Sequence, residues 1–279
     1  MKKIKGKEIT ILFFKYIILI AFAIMCLYPI IWMFLASFKT NDELYINPWG
    51  FPQSIRFDNY IRAIVEGNVG TYYINSIIIT GAVLLVSVCL SFMASYAITR
   101  MNWKYSKVVL NIFVLGMLIP VYATIVPLFS IFKTIGLLNT RLAVIISHIA
   151  FGFPIAIFIM TGFLSTIPRE IEEAAVMEGC SIYRILFNII FPISRSSVVT
   201  VAVIVFLNSW NDLLLPQIFL TDQLKMPLPV GLTEFQGQYY TDYASMIAAV
   251  VLVIIPSIII YILLHKNIME GMVAGAVKG

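Results

Sequence analysis

Residues Pro168–Pro192 have the sequence PREIEEAAVMEGCSIYRILFNIIFP, a charged segment between two very apolar ones. Pro168 suits the first turn of a helix, and the glutamates that follow it lie where the helix dipole favours negative charge. Gly179 is expected to end this first helix, because glycine commonly follows the last residue of a helix. Ser181 can cap a second helix, whose apolar residues recur at helical spacing. Pro192 is expected to break that run before the next apolar segment. The stretch therefore predicts two short helices that lie outside the membrane.

One face of the first predicted helix carries Ile171, Ala174, Ala175 and Glu178. The two methyl-sized side chains at its centre would let a partner surface approach the backbone closely. The alternative is a loop that packs on lipid headgroups or on neighbouring spans, which is common for amphipathic segments of this kind. Spacing alone leaves both interpretations open.

The composition indicates a membrane protein, because 61% of the 279 residues are hydrophobic and only 12% are charged. A helix needs about 20 apolar residues to cross a bilayer, and six stretches are long enough. We therefore predict an all-α polytopic membrane protein with six transmembrane helices and one domain, residues 1–279, with no separate soluble domain. The predicted spans lie near 16–38, 72–98, 108–132, 142–164, 198–220 and 243–264.

Charge predicts the orientation of these spans. The first apolar run is longer than the ~7–15 residues of a cleavable signal core, so it is expected to remain as a span. Most of the 19 Lys and Arg residues lie in the two tails and in the loops 100–107 and 165–196. The positive-inside rule then places both termini in the cytoplasm of a multi-pass protein of the plasma or inner membrane. The pI near 9.0 follows from this bias and gives no reason to expect nucleic acid.

The fifth predicted span contains a polar cluster of Asn208, Trp210, Asn211 and Asp212. A carboxylate in the middle of a membrane costs about 2.5–3.5 kcal/mol on insertion scales, so Asp212 should face protein or water. On a continuous helix, Asn208, Asn211 and Asp212 share one face with Leu215, and Trp210 points elsewhere. Amides, a carboxylate and a flat aromatic ring suit a translocation path for carbohydrate. A hydrogen-bond network that joins two subunits is the alternative.

Spans three and four carry prolines and a histidine. Pro120 and Pro127 are expected to kink span three, either to line a path or only to pack. His148 lies in span four, where a lone histidine on an apolar face is usually hydrogen-bonded to a neighbour. We therefore expect a structural role for it and not a ligand or proton-carrying role.

Motifs for catalysis are missing from the sequence. The chain has only two histidines, no phosphate-binding G-x-x-x-x-G-K-[ST] loop, no HExxH and no GxSxG, and its three cysteines lack metal-ligand spacing. We expect no catalytic residue, no metal and no cofactor in this chain. Two alternatives remain, an ion-coupled secondary transporter and a membrane-embedded hydrolase. The first usually needs several ionisable groups in mid-membrane, and here Asp212 is nearly alone.

The segment Glu173–Pro192 closely resembles the EAA loop of permease subunits in binding-protein-dependent ABC importers. The matching pattern is Glu-Ala-Ala, three residues, Gly, nine residues, and then Ile-x-Phe-Pro where the family has Ile-x-Leu-Pro. In that family the loop is the coupling helix, which docks into a cleft on the cytoplasmic ATPase. The resemblance implies that the coupling residues are Glu173, Ala174, Ala175, Gly179 and Pro192.

Two further stretches carry the same resemblance. Trp210-Asn211-Asp212 resembles the W-N-(D/E) signature of sugar-importer permeases, and the chain ends in the G-x-x-x-G-A-V-K-G terminus of the maltose and multiple-sugar type. In the maltose relative this tail reaches into the ATPase dimer interface. The implied contact residues of the tail are Gly275, Ala276, Val277, Lys278 and Gly279.

The resemblance also implies the assembly around the chain. A type I ABC importer permease fold is expected, with an oligosaccharide as the cargo. A second permease subunit, expected to be a different polypeptide, would complete the path. Two copies of a cytoplasmic ABC ATPase would bind ATP and magnesium, and an extracytoplasmic solute-binding protein would deliver the sugar.

Overall fold

The structure is a computed structural model that describes the backbone of residues 6–235 and 242–276 and the side chains of residues 12–233 and 242–265. The described residues form helices and no strands, which confirms the all-α prediction. Three 3₁₀ helices (Val121–Thr124, Gln223–Lys225, Leu232–Phe235) and one π-helix (Ile185–Ile190) join the α-helices. The α-helices are α1 (Gly6–Ala36), α2 (Asn41–Ile46), α3 (Asp58–Val65), α4 (Val69–Arg100), α5 (Ser106–Gly116), α6 (Ile125–Thr134), α7 (Arg141–Leu164), α8 (Glu170–Met177), α9 (Ile182–Arg184), α10 (Phe191–Ile193), α11 (Arg195–Trp210), α12 (Leu214–Phe219), α13 (Leu228–Gly231) and α14 (Tyr243–Ala276).

Four of these helices contain segments that are long and apolar enough to cross a membrane alone. Two pairs of helices are bent at a short break, by 91° in one pair and 79° in the other, and each pair would supply a further crossing if it is counted as one span. The chain is therefore a multi-pass membrane protein. The single segments are Leu12–Ala36, Val69–Arg100, Arg141–Leu164 and Tyr243–His265, and the bent pairs are Ser106–Gly116 with Val121–Thr134 and Ile182–Ile193 with Arg195–Trp210.

The predicted span at 108–132 is broken and not merely kinked. Helix α5 ends at Gly116, and the chain re-enters helical structure only after Pro120. In a continuous helix the ring of Pro120 would clash with the carbonyl of Gly116, four residues earlier, and no N–H would be available to bond it. Pro127 lies in the first turn of α6, where proline is tolerated.

The predicted span at 198–220 is likewise not one helix. Helix α11 has 16 residues and ends at Trp210. Pro216 gives the physical reason, because in a continuous helix its ring would clash with the carbonyl of Asp212. The Asp212 side chain instead accepts a hydrogen bond from the Leu214 N–H at 3.1 Å, where α12 begins.

The chain separates into two compact units, the first of which comprises residues 1–68 and 234–252. Its described part contains α1 to α3 and the start of α14. Lys39 is buried there, and its ammonium donates to the carbonyls of Asn47 and Pro48 at 2.9 and 3.1 Å. Burial alone would raise the pKa of Asp242, but hydrogen bonds from Ser245 and Asn41 and the nearby charge of Arg62 hold that pKa below its ordinary value.

Exposed aromatic rings cluster where α1 ends. Trp49 stacks on Tyr28 with 6.1 Å between ring centroids and lies 5.7 Å from Trp32. The Trp32 indole N–H donates to the Pro48 carbonyl at 2.8 Å. Rings of this kind, with one polar group, are typical of the membrane–water interface.

The second unit comprises residues 69–233 and 253–279, and α4, α7 and α11 form its core. Ser87, Ser91 and Ser95 make a stripe of small, fully buried side chains along α4. The Ser95 hydroxyl donates to the Ile157 carbonyl of α7 at 3.4 Å. Small residues let helices approach closely in lipid, where no hydrophobic force drives their association. Both candidate functional sites lie in this unit.

Candidate functional site

Helix α8 is a short helix with a well-defined end, as predicted. It begins after Arg169 and is followed by Gly179, which has φ +78°. The Gly179 N–H bonds the Val176 carbonyl at 2.9 Å, and the Cys180 N–H bonds the Ala175 carbonyl at 3.0 Å. These two bonds make a Schellman motif, which needs a left-handed residue at the position of Gly179. Nothing lies within 4 Å of a Cβ built there, so backbone conformation and not space favours glycine.

The predicted small-residue face of α8 does not point outward as a whole. Ala175 is buried in the core cluster of the unit, and Ile171 packs partly against that cluster. Glu173 and Ala174 are exposed, as is the long apolar side chain of Met177, which is 87% exposed. Ala175 therefore anchors the helix, and the face open to a partner is built from its neighbours.

The second predicted helix forms as well, with one correction. Ser181 caps it by accepting from the Arg184 N–H at 3.4 Å. Pro192 does not end the run. It lies in α10, which follows the π-helix Ile185–Ile190, and the 79° bend comes after Ser194. In the π-helix the Phe191 N–H bonds the Leu186 carbonyl, five residues back. We attribute the tolerance of Pro192 to this wider local geometry, which shifts the carbonyl that its ring would otherwise meet.

Helix α8 is held by a buried arginine at the end of α4. The Arg100 guanidinium lies 3.3 Å from a Glu172 carboxylate oxygen and donates to the carbonyls of Leu164 and Ile167, the latter at 2.6 Å. The side chains of Arg100 and Glu172 are only 4% and 15% exposed. The Tyr96 hydroxyl donates to the other Glu172 oxygen at 3.5 Å. We call this set of contacts the α8 clamp.

Sequence reasoning missed the α8 clamp. From the sequence, the basic residues of the loop 100–107 are expected only to mark a cytoplasmic turn, and the glutamates after Pro168 only to favour the start of a helix. One signal was present, because Glu172 lies three residues before Ala175 and so shares its face of the helix. Once Ala175 is known to be buried, Glu172 must lie beside the core. A carboxylate in that position needs a cation or a hydrogen-bond donor as its partner.

The C-terminal residues are described only in part. The backbone of α14 is helical through Gly275 and Ala276. The expected contact residues Val277, Lys278 and Gly279 lie outside the described residues. Their predicted role in contacting an ATPase stays a prediction.

The second candidate site is a cavity of about 490 Å³ between the broken spans and α7. Asn208 and Asp212 line it, together with His148, which sequence reasoning had placed in a structural role. The bent chain at Pro120–Tyr122 forms another part of its wall. The structure therefore brings together two of the four residues predicted for the translocation path.

The other two predicted path residues do not line this cavity. Trp210 is buried, donates from its indole N–H to the Val253 carbonyl at 3.0 Å and stacks on Phe206. Asn211 is exposed, and its amide bonds the Leu207 carbonyl of its own helix at 3.0 Å. The expectation that Asn211 shares the face of Asn208 and Asp212 is wrong, because α11 ends at Trp210.

His148 lies beside a polar neighbour, but its Nε2 atom does not make the expected hydrogen bond among the described residues. Its Nε2 atom lies 3.3 Å from a carboxylate oxygen of Asp212. The side chains are 9% and 18% exposed, so the pair lies in the wall of the cavity and not in bulk solvent. Asp212 thus contacts both the imidazole ring and the first turn of α12.

Comparison with known proteins supports the family that the sequence resembles. Residues 87–270 match the family described as "Binding-protein-dependent transport system inner membrane component". The chain is 33% identical to the trehalose/maltose transport system permease protein of Thermococcus litoralis, over 93% of this chain and 94% of the relative. It is 30% identical to the diacetylchitobiose uptake system permease protein of Streptomyces coelicolor, over 94% and 87% respectively.

A solved structure shares the fold. A chain of a bacterial ABC transporter involved in the import of the acidic polysaccharide alginate matches with a TM-score of 0.83 and 24% identity, over 95% of this chain and 99% of that one. The matches support the interpretation as an ABC importer permease and not the alternative of an ion-coupled carrier. The chain therefore belongs to the family of inner membrane components of binding-protein-dependent transport systems.

Proposed function

We propose that this permease is one half of the translocation path of a carbohydrate importer and that α8 connects it to a separate ATPase. The relatives support the cargo class, since their names specify trehalose, maltose and diacetylchitobiose. The exposed apolar end of α8 supports the docking role. The sugar would pass through the cavity that Asn208 and Asp212 line.

The exposure of Met177 is the observation that carries the docking role. Val176 and Met177 are exposed apolar residues at the end of a helix whose other side is fixed by Ala175 and the α8 clamp. A helix fixed in this way transmits a push on its exposed end to α4 and α7 through Arg100. A loosely attached loop would absorb the same push by moving alone.

A lipid surface fits α8 less well than a protein partner does. Helices that lie on membranes carry Lys and Arg on their polar face, because headgroup surfaces are anionic. Helix α8 instead has Glu170, Glu172 and Glu173 in its first turn, and Glu178 follows its last turn. A partner with a cleft that combines apolar and basic groups suits this surface.

The proposed assembly follows from the family. Two copies of a cytoplasmic ABC ATPase would bind ATP and magnesium, and this chain would bind neither. A second permease of different sequence would complete the path, and an extracytoplasmic solute-binding protein would deliver the sugar. Both termini and residues 165–196 would lie in the cytoplasm, where most of the basic residues are found.

The test uses the complete importer in proteoliposomes and the variant Met177→Asp. Because Met177 is almost fully exposed, the change should leave the fold of this chain intact. A carboxylate placed in an apolar contact should release the ATPase and abolish ATP-dependent uptake. Met177→Leu is the matched control and should retain both. Retention of ATPase and uptake by Met177→Asp at normal membrane levels would contradict the docking role of α8.

A further inference from the structure

The cavity between the broken spans has a polar corner formed by His148, Asn208 and Asp212. His148 comes from the first half of α7, Asn208 from the last turn of α11, and Asp212 from the link to α12. Two helix breaks border the cavity, at Pro120 and after Trp210. In transporters, interrupted helices are tolerated where they line a cavity, and ligand sites form at such interruptions.

The polar corner has hydrogen-bonding capacity that the described part of the chain does not use. His148 Nε2 and the facing Asp212 oxygen are buried 3.3 Å apart but do not meet in good hydrogen-bond geometry. Buried polar atoms such as these two nearly always have a partner in native proteins, which can be a ligand or water. The Asn208 side chain is exposed at the same cavity and has no hydrogen-bond partner among the described residues, so its amide is open to a ligand.

Apart from the hydroxyl of Tyr122, the other side chains of the wall are apolar. Val121, Phe151, Val205 and Leu215 face the same space. The volume of about 490 Å³ falls in the range of roughly 300–1,000 Å³ that is usual for small-molecule sites. A few convergent polar groups in an apolar wall suit a ligand that has hydroxyl groups on its edge and C–H groups on its faces.

The charges of the cavity favour a neutral ligand. No Lys or Arg is present among the described residues that line it. The His148–Asp212 pair has no net positive charge whether or not the imidazole is protonated. An acidic sugar would therefore find no counter-charge in this cavity, and its carboxylate would lose its hydration without compensation.

We propose that His148, Asn208 and Asp212 form a binding site for the hydroxyl groups of a neutral sugar, so that this subunit contacts its cargo directly. Asp212 accepts a hydrogen bond from one hydroxyl, the Asn208 amide both donates and accepts, and the imidazole of His148 bonds a second hydroxyl while it keeps Asp212 in place. The site deepens the proposed function and rests on it. It adds His148, and it specifies a cargo that is neutral.

The test measures initial uptake rates in proteoliposomes of the complete importer with saturating solute-binding protein. The probes are radiolabelled maltose, trehalose, melibiose and diacetylchitobiose, with digalacturonate as the acidic probe. The main variant is Asn208→Ala, because this side chain makes no bond that the described part of the chain would lose. Asn211→Ala is the matched control, since this amide lies three residues along and does not line the cavity. His148→Gln retains some hydrogen bonding and tests the second residue.

We expect Asn208→Ala to lower the uptake rate of the transported sugar about tenfold. A loss of this size is what one good hydrogen bond to the sugar would contribute. His148→Gln should change the ratio of rates between sugars, whereas a merely structural histidine would lower all rates by the same factor. Asn211→Ala should remain within twofold of the wild type.

A second readout follows binding directly. Diethyl pyrocarbonate modifies histidine, and the chain has only two histidines, His148 and His265. The transported sugar should slow the modification of His148 in the complex and leave that of the exposed His265 unchanged.

Three outcomes would overturn the site: unchanged rates and ratios in Asn208→Ala and His148→Gln, no protection of His148, or a preference for digalacturonate. If wild-type uptake still needs ATP and the solute-binding protein in these cases, the proposed function stands and only the sugar site fails. If wild-type uptake needs neither, both proposals fail.

Discussion

Two largely buried acid–base pairs of the second unit have the same separation and different surroundings. Arg100 and Glu172 lie 3.3 Å apart at the base of α8, and His148 and Asp212 lie 3.3 Å apart beside the cavity. Arg100 also donates to two main-chain carbonyls, and Glu172 also accepts from Tyr96. The ring of His148 has no further bond among the described residues, whereas Asp212 also accepts from the Leu214 N–H. In both pairs the facing atoms lie close without good hydrogen-bond geometry, so the pairs differ in the further bonds of the Arg100 and His148 side chains.

This difference separates a mechanical role from a binding role. A buried pair whose other bonding positions are occupied fixes the two elements that it joins, and breaking it leaves a charge uncompensated. A pair with free bonding positions next to a cavity can accept a third partner without losing its own contact. We therefore propose force transmission for the α8 clamp and cargo contact for the polar corner.

The largest effect is expected for Arg100→Ala, which removes the counter-charge of Glu172 and the donor to two carbonyls. Removing one member of a buried ion pair costs about 3–5 kcal/mol. The purified importer should lose thermal stability, and ATP-dependent uptake should cease. Lys107→Ala is the matched control, because Lys107 is an exposed cation in the same connecting region. An Arg100→Ala importer with normal stability and uptake would show that the α8 clamp does not fix α8.

Gly179→Ala tests the end of α8 and should have an intermediate effect. The left-handed conformation costs about 1–2 kcal/mol for a residue with a Cβ, and no clash adds to it because the space is open. Amide hydrogen exchange in α8 should become faster, while the amides of α7 remain protected. Gly179→Asn should be milder, since Asn adopts this conformation more readily. Equal exchange in the alanine variant and the wild type would contradict the strain argument.

The smallest effect is expected for Trp210→Phe. The change removes one hydrogen bond to the Val253 carbonyl, which contributes about 0.5–1.5 kcal/mol. Because Trp210 packs away from the cavity, the relative uptake rates of different sugars should not change. A shift in sugar preference as large as that expected for His148→Gln would show that Trp210 contacts the cargo and contradict its structural role.

Local chemistry made much of the fold predictable. The helix–Gly–helix segment around Gly179 and the cap at Ser181 follow from residues that are adjacent in sequence. The four uninterrupted spans follow from apolar runs alone. The family follows from the Glu173–Pro192 pattern, and the comparisons confirm it.

The remaining features depend on contacts between distant residues. Arg100 and Glu172 are 72 residues apart in sequence, and His148 and Asp212 are 64 apart. The periodicity of apolar residues within one helix does not predict contacts over such distances. The end of α11 was missed for a different reason, because Asn211 and Asp212 lie in a run that is apolar on average. Pro216 was the available signal, four residues after the carbonyl with which it would clash.

The most direct test of the central claim places a photo-crosslinking amino acid at position 177 in the complete importer in native membranes. The account predicts crosslinks from Met177 to the ATPase, and none to the ATPase from the control position Phe158, an exposed residue of the spanning helix α7. Crosslinks from position 177 to lipid alone, in a complex that still hydrolyses ATP and transports sugar, would contradict the account.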